Sequence, residues 1–254
     1  MPSLLRIPLI NIVAASVLLV VLTHASAFAD LVVYPKLYNS QLSSTYSMTV
    51  NGQAVPVQRY NGNSYAWFAF SGSASVKITV DETVESYQLS PKSYHIDPAV
   101  NGRDLSFTLD RPRKLVLRKI NSRTEELFIF ADPLESHPPR LDSSGVVSVV
   151  DYGADRSGMN ESQNAFQHAV DAITALPNGG TVYVPEGRYK ISKTVFLKSN
   201  VHLYLAPGSV LEVPVGVGCC FGFASVLIAL DSSNVKISGR GVVYGNGSNQ
   251  SLFF

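Results

Sequence analysis

Carboxylates are the side chains of this sequence best suited to chemistry, and their spacing limits what they can do. Residues 146–254 hold Asp151, Asp155, Glu161, Asp171, Glu186, Glu212 and Asp231. Acid–base work needs a carboxyl group placed against a partner of different protonation. Asp151 and Asp155 fall in a glycine-containing turn, where Asp bonds nearby backbone amides; a cation site is the competing reading. Glu186 lies in a Pro-Glu-Gly turn and reads as part of it. Asp231 follows an apolar run and projects from its edge as a lone carboxylate. His95, His137, His168 and His202 show no spacing that brings them to these acids, and His168 belongs on the polar side of a helix. The two cysteines are adjacent, Cys219-Cys220, which disfavours a bridge between them and leaves them reduced and buried or joined to another chain. No zinc-type spacing occurs, so neither a metal site nor a cofactor is expected.

Two further groups suit binding. Arg111, Arg113, Lys114, Arg118, Lys119 and Arg123 form a basic strip that reads as a solvated strand face, or alternatively as a contact for an acidic polysaccharide. Tyr65, Trp67, Phe68 and Phe70 are the densest aromatic group. Strand alternation sends Tyr65 and Trp67 to one face and Phe68 and Phe70 to the other, so at least one pair is core; a sugar-stacking platform is the alternative for the rest.

The elements that must position these groups fall into two units. Over residues 30–135, β-type runs at 31–33, 46–50, 54–60, 64–70, 76–80, 104–109, 114–120 and 126–130 recur without helices, with Asn51-Gly52 and Asn61-Gly62 as tight turns. This spacing predicts an antiparallel β-sandwich. Residues 136–145 are rich in Pro and Ser and read as a semi-extended linker. From residue 146 the pattern changes. Phe166, Ala169, Val170, Ile173 and Leu176 recur at helical steps, with Asn160 able to cap the start and Pro177-Asn178-Gly179-Gly180 barring continuation. Short β-prone runs follow at 181–184, 189–191, 194–197, 201–205, 210–213, 226–230, 235–237 and 242–244. Two begin with the same tripeptide, Ser199-Asn200-Val201 and Ser233-Asn234-Val235. A repeat near 20 residues, with an insertion around 215–223, predicts stacked coils of a parallel β-helix behind a helical cap.

Residues 1–29 read as a secretory leader: Arg6 supplies the positive end, residues 10–22 are mostly apolar, and Ala27-Phe28-Ala29 fits a cleavage site. An uncleaved anchor is the alternative; the later apolar stretch 213–230 reads as strand and loop. Lys and Arg number 20 against 19 Asp and Glu. Losing the leader removes Arg6 and no acid, so the mature chain is formally neutral, which excludes the basic footprint of a nucleic-acid binder. Asn160, Asn246 and Asn249 stand in glycosylation sequons.

The segments Asp151-Tyr152-Gly153-Ala154-Asp155, Phe166-Gln167-His168-Ala169-Val170-Asp171, Gly180-Thr181-Val182-Tyr183-Val184-Pro185-Glu186-Gly187-Arg188-Tyr189 and Leu205-Ala206-Pro207-Gly208-Ser209-Val210-Leu211 resemble the first coils of the pectate-lyase-like right-handed β-helix superfamily, most closely polygalacturonases of glycoside hydrolase family 28. The stretches 89–94, 105–115 and 127–135 look like the accessory β-sandwich that precedes the β-helix in some bacterial-type members and in the related dextranases. The resemblance implies a secreted hydrolase that inverts the glycosidic carbon, using two carboxyl groups roughly 6.5 to 9.5 Å apart. It also implies a pectin-like or other plant or algal glycan as substrate, no membrane contact after leader removal, and a monomer when full length. The family carries its acids in Asn-Thr-Asp and Asp-Asp motifs, followed by Gly-His-Gly and Arg-x-Lys. None of these occurs here, and Gly239-Arg240-Gly241 through Gly247 resembles the coil before them. No catalytic residue is therefore carried over, substrate-binding residues stay unassigned, and the chain reads as ending ahead of the catalytic coils. The competing expectations are a non-catalytic carbohydrate-binding or adhesin-like module and a polysaccharide lyase on the same fold.

Overall fold

The computed structural model describes residues 30–37, 40–60, 62–118, 120–214 and 226–245. The leader, Cys219 and Cys220, Lys119, Asn61, the expected insertion and the sequons at Asn246 and Asn249 lie outside these residues.

The first unit is a sandwich of a seven-stranded and a five-stranded sheet. Its core is filled by alternate residues of both, among them Val50, Phe68, Phe70, Ile78, Leu105, Leu117 and Ile129. The expected single run 54–60 is two strands. Gln53–Val55 pairs with Tyr46–Val50 in the smaller sheet, and Val57–Tyr60 pairs with Asn63–Phe70 in the larger. Pro56 stands between them, where a residue with no N–H cannot extend a ladder and the chain changes sheet. The sandwich is antiparallel with one exception: Leu127–Pro133 runs parallel to Asn63–Phe70. These strands are distant in sequence, and the hairpin signals that predict antiparallel neighbours say nothing about such a pairing.

The second unit has its own core, built from Val149, Phe166, Val170, Ile173, Val182, Tyr189, Leu203 and Leu211 among others. Two four-stranded sheets are wholly parallel. One stacks Val146–Ser148, Gly180–Val184, Val201–Leu205 and Lys236–Gly239; the other stacks Ser157–Glu161, Gly187–Lys190, Ser209–Glu212 and Val242–Tyr244. A third sheet pairs Val195–Leu197 with Leu227–Ala229. Each coil passes once through the stack, so Thr181 faces His202, 21 residues on. The two Ser-Asn-Val tripeptides mark one further step, 34 residues long, across which the Asn234 amide donates to Asn200 Oδ1 at 3.0 Å. Both asparagines adopt left-handed backbone, at φ 61° and 55°, which Asn tolerates better than other residues with a Cβ. Gly239 makes this stacking possible: a Cβ there would stand 2.0 Å from the Leu205 carbonyl oxygen.

The helix Gln163–Thr174 buries Ala165, Phe166, Ala169, Val170 and Ile173 against this core. Phe166 meets the Tyr189 ring edge-on, with centroids 5.5 Å apart. Leu176 does not share the stripe; it lies past the helix end and is 41% exposed. Asn160 does not cap the helix either, because it belongs to the strand Ser157–Glu161. The Glu161 carboxylate instead accepts the Gln163 N–H at 2.9 Å. On the polar side, Gln163 donates to the Thr194 carbonyl, and Gln167 both donates to the Phe196 carbonyl and accepts its N–H. The helix thus covers the open interior and also occupies the free edge of Val195–Leu197, which would otherwise be open to pairing with another chain.

Candidate functional site

The seven acids of the second unit are placed singly. Asp155 is saturated by its own loop: it accepts the Ser157 hydroxyl at 2.7 Å and N–H at 2.9 Å, and the Asn160 N–H at 2.7 Å. These bonds, the Ser157 hydroxyl foremost, lower its pKa to about 2. Such a carboxylate acts as a turn device, holding the loop's own donors. Asp151 lies exposed in a single helical turn. Glu161 caps the helix and accepts the Ser192 N–H. Asp171 pairs with Lys198 at 2.7 Å. Glu212, only 7% exposed, takes both arms of the Arg188 guanidinium. Glu186 sits in its turn, and Asp231 is exposed in left-handed backbone. Among the described residues, no group of three or more His, Cys, Asp or Glu converges.

The basic strip divides into ion pairs. Arg111 and Arg113 share Asp110, Lys114 binds Asp132, Arg118 faces Glu126 at 3.4 Å, and Arg123 holds Asp81 and Glu82. Among the described residues the strip's charges are thus paired, as on a solvated strand face.

The structure does assemble polar groups where the two units meet. Tyr204 lies at an outward position of its strand, between the inward Leu203 and Leu205, yet is only 3% exposed because the sandwich covers it. Its hydroxyl donates to the Glu135 carboxylate at 3.1 Å, and its ring leans on Tyr183 with centroids 5.2 Å apart. Burial first, and Glu135 second, push its pKa up, so the phenol stays a donor. Beside it Arg240 donates to the Tyr34 hydroxyl at 3.0 Å and to the Pro133 carbonyl at 2.9 Å, with Asp132 at 3.9 Å. A cleft of about 680 Å³ opens here, lined by Leu31, Val33, Tyr34, Leu134, Glu135 and Pro207 among others. Glu135 and Asp132, flanked by phenols and a guanidinium, can hydrogen-bond sugar hydroxyls, although Asp132 is already held by Lys114.

His202 lies on the same outer sheet face. Its ring nitrogens meet Thr181 Oγ1 at 3.3 Å and Ser238 Oγ at 2.7 Å, while burial and then Lys236 lower its pKa. At the other side of the joint, the Tyr60 hydroxyl donates to that of Tyr244 at 2.7 Å. Tyr65 and Trp67 are outward and half-buried, as alternation requires, whereas Phe68 and Phe70 are core.

Sequence reasoning missed Glu135, Tyr204, Arg240 and Tyr34 as a group. The one available signal was polar or phenolic residues at outward positions of a coil, which His202 and Tyr204 display; nothing in the sequence says that the sandwich folds back onto them.

Residues 146–213 match the family model for rhamnogalacturonase A/epimerase, pectate lyase-like. Over 59 residues the chain is 48% identical to the plasmin and fibronectin-binding protein A of Streptococcus pneumoniae, covering 23% of this chain and 8% of that protein. It is 42% identical over 55 residues to an iota-carrageenase of Alteromonas macleodii, covering 22% of this chain and 11% of that enzyme. Among solved structures, Dex49A from Penicillium minioluteum aligns over 83% of this chain and 47% of its own, at 15% identity and a TM-score of 0.48. The chain thus spans about a tenth of the length of these two curated relatives. The matched segment lies within the two parallel sheets stacked coil on coil, so residues 146–213 form pectate-lyase-like coils of a parallel β-helix.

Proposed function

We propose that this chain serves a secreted polysaccharide-degrading glycoside hydrolase of polygalacturonase type, supplying its capped first coils and an accessory sandwich. In this reading residues 1–29 are the leader, 30–135 the accessory domain, 136–145 the linker and 146–254 the coils. The observation that carries it is the match over residues 146–213 together with the cleft at the joint, where Glu135 accepts the Tyr204 hydroxyl. The substrate is a pectin-like or other plant or algal glycan, handled by a monomer outside the cell.

The chemistry divides cleanly by product. Inverting hydrolysis of polygalacturonate yields new reducing ends of inverted anomeric configuration. A lyase gives unsaturated ends that absorb in the ultraviolet, and an epimerase changes sugar configuration without cutting. Reading the source gene onward from the Phe254 codon tests the assignment: Asn-Thr-Asp, Asp-Asp and Gly-His-Gly in following coils support the hydrolase, and their absence refutes it. A second reading, a non-catalytic carbohydrate-binding or adhesin-like module, is favoured by the outward aromatic rings of the sandwich and by the similarity to a Streptococcus pneumoniae plasmin- and fibronectin-binding protein.

A further inference from the structure

The outer face of the seven-stranded sheet carries four aromatic rings that the sandwich core does not need. Tyr65 and Trp67 from Asn63–Phe70 stand beside Phe128 and Phe130 from Leu127–Pro133, in register. The rings are tiled nearly parallel: Tyr65 to Phe128 is 5.1 Å, Trp67 to Phe130 is 5.5 Å and Tyr65 to Trp67 is 5.9 Å, with interplanar angles of 12° to 17°. All four are half-buried. The opposite face of the same strands already supplies Phe68, Phe70, Leu127 and Ile129 to the core. A contiguous aromatic surface left facing outward is the usual mark of a binding site.

The border of this quartet says what it would bind. Lys114 lies over the Phe130 ring at 5.1 Å but is paired with Asp132, and Arg118 is paired with Glu126. Among the described residues these bordering charges are thus paired, and they give little to select an anion. Position supplies the second argument. Tyr60, on the strand next to Tyr65, holds the hydroxyl of Tyr244 and packs edge-on against its ring at 4.9 Å. The quartet is thus continuous with the joint between the sandwich and the coils.

We propose that Tyr65, Trp67, Phe128 and Phe130 form a stacking platform for a run of weakly charged pyranose rings, neutral sugars or esterified uronates, on the outer face of the sandwich. Flat apolar C–H faces of such sugars match tiled aromatic rings, which hold ligands through area and quadrupole contacts rather than ion pairing. The choice of ligand rests on the polysaccharide reading given above.

Trp67 is the only tryptophan in the chain, so its emission reports on the platform directly. The full chain is titrated with methyl-esterified polygalacturonate, with de-esterified polygalacturonate and with dextran. A saturable emission change is expected with the esterified polymer and with dextran. It should persist at about 0.5 M salt, where screening is nearly complete. Phe130→Ala should weaken it about five- to tenfold. Phe130→Leu, which keeps apolar volume and loses the ring, guards against a variant that fails to fold and should weaken it similarly. Silence of Trp67 toward all three polymers overturns the proposal. So does a response confined to the de-esterified polymer and abolished by salt, or a concentration-dependent dimer that Phe130→Asp dissolves, which would assign the face to a second copy. The two readings fail separately: an emission response leaves the platform standing even if Asn-Thr-Asp, Asp-Asp and Gly-His-Gly do not follow Phe254 in the gene, and those motifs with an unresponsive Trp67 leave the hydrolase reading standing without the platform.

Discussion

The Tyr204 hydroxyl donates to the Glu135 carboxylate across 3.1 Å, tying a coil of the β-helix to the segment that leaves the sandwich. Tyr204→Phe removes that donor and leaves a partly buried carboxylate short of a partner. A loss of about 1 to 2 kcal/mol in unfolding free energy is expected by denaturant titration. Unchanged stability would mean that water replaces the phenol freely and that the joint is loose.

Arg240 fastens the same joint from the next coil, through Tyr34, the Pro133 carbonyl and Asp132. Arg240→Ala should release the two units from each other without unfolding either. Limited proteolysis should then cut within residues 136–145 several times faster, while the circular dichroism spectrum stays the same. Equal cutting rates would show that Arg240 does not restrain the linker.

Gly239 tests the stacking of coils. At φ 115°, with a Cβ set 2.0 Å from the Leu205 carbonyl oxygen, Gly239→Ala forces adjacent coils apart. A loss of about 3 kcal/mol or more is expected. Gly52 is the control: its φ is 80° but nothing lies within 4 Å, so alanine there should cost only about 1 kcal/mol. Similar losses at both positions would contradict the coil geometry.

Asp155 makes the loop before the helix sensitive to acid. Its folded pKa is about 2, below the ordinary 3.8, so the folded state favours the ionised form. The stabilisation is complete above the ordinary value and disappears as pH falls through about 2. Amide exchange at Ser157 and Asn160 should therefore be protected at neutral pH and lose protection over that window. Asp155→Asn should flatten the dependence. A flat profile in the parent chain would sink this assignment.

Much of the fold was legible because burial periodicity is local. Residues 201–205 and 242–244 form strands with the expected limits, and the repeated Ser-Asn-Val tripeptides do stack. Misreadings came where local signals compete. Pro56 lies inside an apolar run that looks continuous, and Leu176 fits the helical stripe by spacing but falls beyond the last turn. Asn160 has the right type for a cap, but its main chain pairs as a strand while the neighbouring Glu161 supplies the capping oxygen. The joint was not legible at all, since Glu135, Tyr204 and Arg240 meet only through the docking of one unit on the other. Of the aromatic platform, alternation placed Tyr65 and Trp67 outward, but the parallel pairing that adds Phe128 and Phe130 has no sequence signature.

Under the proposed function, this chain binds polysaccharide while carrying none of the Asn-Thr-Asp, Asp-Asp and Gly-His-Gly motifs. Affinity electrophoresis of the purified 254-residue chain through gels cast with polygalacturonate, esterified polygalacturonate or dextran, with reducing ends assayed on the same polymers, tests this most directly. Retarded migration on at least one polymer, with no new reducing ends, is the predicted result. Unretarded migration on all of them, or new reducing ends released by this chain alone, would contradict it.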